Sequence, residues 1–132
     1  MALTLMNQRT GDSVATDVEL AVTRTSRRRG LLGRDRLDDS AALILEPCAA
    51  VHTAFMRFNI DVVFVNRSGY AVKIVEDVPP WRIAVAPSAH AVIEMAAGTL
   101  KRHGVSIGDR LYVSPASDGE AFPAARLETE AV

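Results

Sequence analysis

The chain has 132 residues, 48% of them hydrophobic, with one cysteine and fifteen basic residues against sixteen acidic ones, for a net charge of −1. That length suits one domain, which at this size buries roughly two-thirds of the surface its unfolded form exposes. The near-neutral balance excludes binding to nucleic acid or an anionic membrane driven by bulk charge, and the lone Cys48 excludes an intramolecular disulfide framework and a cysteine-rich zinc site.

Ala2 to Met6 reads as a short strand, and Gly11-Asp12-Ser13 as a turn. Val18 to Val22 alternates apolar and charged residues, as a half-buried strand does, so the first two segments are expected to form a hairpin. Ser26 is a candidate cap for a short helix through Leu32, with Gly33 closing it in a left-handed conformation. Ala41 to Leu45 is an apolar strand ended by Pro47. Asp61 to Val65 is the strongest strand signal: β-branched, aromatic and continuous, hence expected to be buried on both faces. Asn66 to Gly69 turns the chain, and Tyr70 to Val75 returns as the second arm of a hairpin. Pro79-Pro80-Trp81 enforces extended or turn backbone. Ala89 to Met95 reads as a strand, Thr99 to His103 as a short helical turn, and Leu111 to Val113 as a last strand.

The expected class is α+β, predominantly β: a compact small sheet or barrel-like domain of six or seven short strands with two or three short helices. Residues 1–113 are expected to form the single domain. Residues 114–132, rich in Ala, Glu, Pro and Ser, are expected to be a partly mobile tail. No stretch reaches the roughly 18 apolar residues of a membrane span. The first nine residues lack the basic start, apolar run and cleavage site of a secretory signal. With an unpaired cysteine, which suits a reducing compartment, the expectation is a cytoplasmic, soluble protein without membrane association.

Phosphate-binding glycine loops, the G-x-S-x-G nucleophile elbow and the His-Glu-x-x-His pair are all absent. Six arginines between Arg24 and Arg36 face only Asp35, a patch able to hold phosphates. Gly30-Leu31-Leu32-Gly33 spells the G-x-x-G of an RNA-binding loop. Its central leucines suit a buried face better than an exposed loop. Cys48, His52 and Met56 recur every fourth residue. They carry soft metal ligands, although a buried thiol, a hydrogen-bonded imidazole and a core methionine are the favoured reading. Cys48 with His52 also supplies the residue types of a thiol nucleophile and its base. Asp61 heads an apolar strand, where a carboxylate needs a partner or backbone N–H groups. It is either a turn carboxylate or an acid lining a pocket. Glu94 raises the same question, and alternation turns it away from Ile93 and Met95, toward solvent. Trp81 on its proline-stiffened loop can line a ligand site or cap the core.

Three further blocks complete the pattern: Arg29-Gly30-Leu31-Leu32-Gly33-Arg34, the run from His52-Thr53-Ala54-Phe55-Met56 through Arg57 and Asp61 to Phe64, and Glu94 with Ala97-Gly98 and Gly108-Asp109. Together they resemble the domain of unknown function 192 family, also called uncharacterised protein family 0127, from about Val18 to Val113. Members usually carry proline where this chain has Asn59, and often a bulkier residue at Ala54. The resemblance implies a small, mostly β domain and no known activity. It directs attention to His52 through Asp61 and to the Gly30-Leu31 turn.

The leading expectation is a binding or accessory module with a polar pocket lined by Arg34, His52, Met56, Arg57, Asp61 and Trp81. It would take a small molecule or a protein partner and need no cofactor or metal. The alternative is a small enzyme with His52 as base, Asp61 as its orienting carboxylate and Cys48 as nucleophile. Nucleic-acid binding through Arg24 to Arg36 is the least favoured of the three.

Overall fold

The computed structural model describes residues 2–115 and 122–123. In chain order these form β1 (Leu3–Asn7), β2 (Ser13–Ala15), β3 (Asp17–Ala21), α1 (Arg24–Arg29), β4 (Ala41–Leu45), β5 (Ala50–His52) and β6 (Ile60–Val65). Then follow β7 (Ala71–Val78), β8 (Ile83–Val85), β9 (Ala91–Ala96), α2 (Thr99–Arg102), β10 (Leu111–Pro115) and β11 (Phe122–Pro123).

Every residue of β6 and of β9 is buried, and the two pair antiparallel at the middle of a sheet ordered β3-β4-β9-β6-β7. A strand buried on both faces requires a layer on each side. On one side Ile44, Val63, Ile93 and Met95 pack against Leu5, Val14, Leu111 and Val113 of a second sheet, ordered β11-β10-β1-β2. On the other, Leu43, Val62, Phe64 and Val92 pack under Leu31, Met56 and Ala86. These belong to the turn after α1, the segment after β5 and the segment after β8. Fully burying a side chain such as Phe64 stabilises the fold by roughly 1.5–3 kcal/mol.

The class is therefore as expected, α+β and mostly β, with three open sheets and no closed barrel. The strand count among the described residues exceeds the expected six or seven, because β2, β5 and β8 have three residues each and β11 two, too short for a period to show. The first hairpin also differs from expectation. β1 turns back into β2, whereas β3 runs parallel to β4 in the central sheet. The chain changes sheets at Thr16, where Thr16 N and Asp17 N both donate to the Ser40 carbonyl. The hairpin of β6 and β7 forms as read. Asn66 Oδ1 closes its loop by accepting from Ser68 N and Tyr70 N, both at 3.0 Å.

Helix α1 begins and ends three residues earlier than expected. Its N-cap is Thr23, and Ser26 is the third helical residue, the two exchanging side-chain-to-backbone bonds in a capping box. Gly30, at φ 47°, stops the helix before Leu31, which turns inward and is buried. No helix among the described residues is long and apolar enough to cross a membrane. The boundary expected at residue 113 falls inside β10, which runs to Pro115 and pairs with β11. The rest of the expected tail lies outside the described residues.

Candidate functional site

Two carboxylates are buried in the central sheet, and they differ in what they touch. Asp61, fully buried on β6, accepts backbone N–H bonds from Asp77 at 2.9 Å and from Gly98 and Leu100 at 3.0 Å each. It ties β7 and the start of α2 to β6. Asp77 sits at φ 52°, beside the register shift between Ile60 and Val62, and Asn59 Nδ2 donates to its carboxylate at 2.9 Å. Asp61 is thus bonded by the backbone as a turn carboxylate is, and it also borders a groove of about 380 Å³ with Glu76, Asp77, Gly98 and Lys101.

Glu94 lies on β9 directly across from Val62 and Leu43. Alternation does turn it away from Ile93 and Met95, but the face it reaches is covered rather than solvated. It is 4% exposed. Its carboxylate makes no hydrogen bond or ion pair with any of the described residues. Burial pushes its carboxyl up to about 7, against the opposing pull of the Arg34 charge. The residue above it is Gly30. A Cβ built there would stand 4.0 Å from Glu94 Oε1 and 3.7 Å from the Arg27 carbonyl.

Glu94 opens into a cleft of about 250 Å³ between α1 and β5. Leu31, Leu45, Val51 and Met56 line its apolar walls, with Cys48 and His52 on the β5 side and Arg27, Arg28 and Arg29 on the α1 side. The Arg27 guanidinium is engaged within the fold, donating to the carbonyls of Val22 at 2.7 Å and Glu46 at 3.4 Å. Arg28 and Arg29 are exposed and make no side-chain hydrogen bond or ion pair with the described residues. A second groove of about 170 Å³ is lined by Asp17 and by Arg34 and Arg36, both of which already have partners. Arg34 pairs with Glu19 at 2.7 Å and Arg36 with Asp38 at 3.2 Å.

Of the residues singled out from the sequence, His52, Met56 and Cys48 meet in the cleft. They do so without a helix: β5 ends at His52, and a turn closed by Met56 N donating to the Thr53 carbonyl brings Met56 back. The others lie apart. Asp61 faces the opposite side of the sheet. Arg57 pairs with Asp35 at 2.6 Å on the surface. Trp81 is exposed and packs on Phe55 with ring centroids 4.6 Å apart, both residues having positive φ. Arg34 acts on Glu94 only through its charge.

The proposed triad of an enzyme is not assembled in this geometry. Both Asp61 oxygens are taken by backbone N–H groups. The Cys48 thiol donates to the Ala50 carbonyl at 3.1 Å, not to His52. Burial pushes that thiol up from its ordinary value, and the nearby Glu94 charge adds to the effect, which keeps the sulfur protonated and a poor nucleophile. Among the described residues no three His, Cys, Asp or Glu side chains converge as a metal site would need.

Glu94 and Thr53 were not picked out as site residues. Thr53 is the hub of this region: its N–H donates to the Arg82 carbonyl, its carbonyl accepts from Trp81 N, and its hydroxyl accepts from Arg82 N and donates to Pro79 O. The signal for Glu94 was present in its place among the resemblance residues.

The family model for DUF192, described as "Uncharacterized ACR", matches residues 5–113. The chain belongs to the DUF192 family. Comparison with curated proteins finds no match. Among solved structures, a Sinorhizobium meliloti protein described as a "putative transcription regulator" is 28% identical, with a TM-score of 0.73 over 83% of this chain and 90% of that one. A Novosphingobium aromaticivorans protein of unknown function is 24% identical, with a TM-score of 0.72 over 84% of this chain and 83% of its own. A hypothetical protein from Synechocystis shares the fold at 13% identity and a TM-score of 0.53, with 94% of this chain matching 20% of that one. The DUF192 match spans every residue of the cleft.

Proposed function

We propose that this DUF192 chain is a small-ligand binding module whose site is the cleft between α1 and β5. One observation carries the reading: Glu94 is a buried carboxylate with no hydrogen-bonding partner among the described residues, facing a cleft. An unpartnered buried carboxylate is costly, and a fold that keeps one beside an open cavity leaves it for something that enters. The pocket of the reading is centred on His52, Met56 and Cys48, with Glu94 at its floor. The lone thiol suits a cytoplasmic setting. The test is two-dimensional NMR of the labelled protein against pools of small polar molecules. Shifts gathered at Leu31, Cys48, His52 and Glu94 support the reading. Shifts gathered in the Arg34–Asp38 groove, or at Phe55 and Trp81, overturn it.

The description of the Sinorhizobium protein makes nucleic acid the second reading, favoured by Arg28 and Arg29 on α1, which have no side-chain partner among the described residues. Against it, α1 has six residues, too short to act as a groove-reading helix, and half of the arginine patch is engaged within the fold. Binding of DNA or RNA that weakens steeply with salt would favour it.

A further inference from the structure

The polar groups of the cleft are separated by sign and by depth. At the floor is one acid, Glu94, nine-tenths and more buried and without a hydrogen-bonding partner among the described residues. The walls above it are Leu31, Leu45 and Met56. At the α1 side stand two exposed guanidinium groups, Arg28 and Arg29, that the described fold does not use. The remaining charged or titratable groups facing Glu94 are Arg27, held by carbonyls, Arg34, held by Glu19, and Cys48 and His52 of the β5 side. A negative floor, an apolar middle and a positive rim describe a ligand of the inverse pattern.

Resting on the binding reading above, we propose that the cleft takes a short zwitterion: an ammonium group on Glu94, an aliphatic chain between the leucines and Met56, and a carboxylate at Arg28 and Arg29. An ammonium supplies both the donors and the charge that the buried carboxylate lacks, whereas a hydroxyl supplies only a donor. A guanidinium pair favours a carboxylate at the other end because its fork donates to both oxygens.

Cys48 is the only cysteine in the chain and lines the cleft, so its alkylation by excess iodoacetamide, slow for a protonated thiol but confined to one site, reports occupancy. The probes are 6-aminohexanoate and its one-ended relatives, hexylamine and hexanoate. Each end adds a charge-assisted hydrogen bond that a one-ended relative lacks, so 6-aminohexanoate is expected to protect Cys48 at concentrations about tenfold or more below either relative. Glu94→Gln should reduce it to the level of hexanoate, and the double variant Arg28→Ala with Arg29→Ala to the level of hexylamine. The latter two residues are exposed, so that variant tests the idea even if Glu94→Gln folds poorly. Equal protection by a one-ended probe, or protection indifferent to both variants, overturns the proposal. If hexanoate alone protects, the zwitterion falls while the cleft remains a binding site. If no probe protects and the NMR shifts also gather elsewhere, the binding reading falls with it.

Discussion

Asp61 and Glu94 occupy neighbouring strands of one sheet, each across the ladder from an apolar residue, and both are almost fully buried. Asp61 receives three backbone N–H groups; Glu94 receives no hydrogen bond from the described residues. The contrast separates architecture from site. A buried acid whose oxygens are filled by the backbone holds elements together. One left open at the floor of a cleft raises the energy of the empty fold, and binding or protonation must offset that.

The largest expected effect lies on the Asp61 side. Asp61→Ala removes the acceptor of three backbone N–H groups, that of Leu100 buried and those of Asp77 and Gly98 part-buried, so stability should fall by about 3 kcal/mol in urea unfolding. A loss below about 1 kcal/mol would erase the distinction.

The Glu94 side should respond in the opposite sense and through pH. Its carboxyl sits at about 7 when folded, against 4.5 for the free group. Between those values the folded chain binds the proton more tightly, so stability falls as pH rises. The loss amounts to roughly 3 kcal/mol and is complete above about pH 7. Glu94→Gln should flatten that dependence and be the more stable protein at pH 8. A variant as pH-sensitive as the parent over this range would show that another group titrates.

Gly30 tests the roof of the cleft. At φ 47° it adopts a backbone that alanine resists, so Gly30→Ala should cost more than about 1 kcal/mol in thermal or urea unfolding. The smallest effect is expected at Arg57, outside both carboxylate environments. Its exposed pair with Asp35 is worth about 0–1 kcal/mol, so Arg57→Ala should leave the melting temperature nearly unchanged and the cleft intact by NMR.

The sequence made one half of this contrast legible. β6 announces its burial by a continuous β-branched run, and an aspartate at the head of such a run must have a partner, with backbone N–H groups one of the two readings it allows. Glu94 was legible only in part. Alternation assigns its face correctly, yet nothing in β9 reports what covers that face. The cover comes from a glycine-stopped turn after α1 and from the segments around three-residue strands, which leave no periodic trace. The spacing of Cys48, His52 and Met56 suggested a common face of a helix. They reach the same cleft through a strand end and the turn at Thr53, so their meeting has a different cause. Arg57 and Asp61 share a motif with them and Trp81 is a rigid loop aromatic, but all three separate from the cleft in space, because β6 crosses the sheet and the turn at Pro79-Pro80 points Trp81 outward.

The most direct measurement is a carbon-13 NMR titration of the Glu94 side-chain carboxyl, with and without 6-aminohexanoate. A midpoint near 7 that moves downward when the amine is present is the predicted result. A midpoint near the ordinary value of 4.5, unmoved by the probe, would contradict the account.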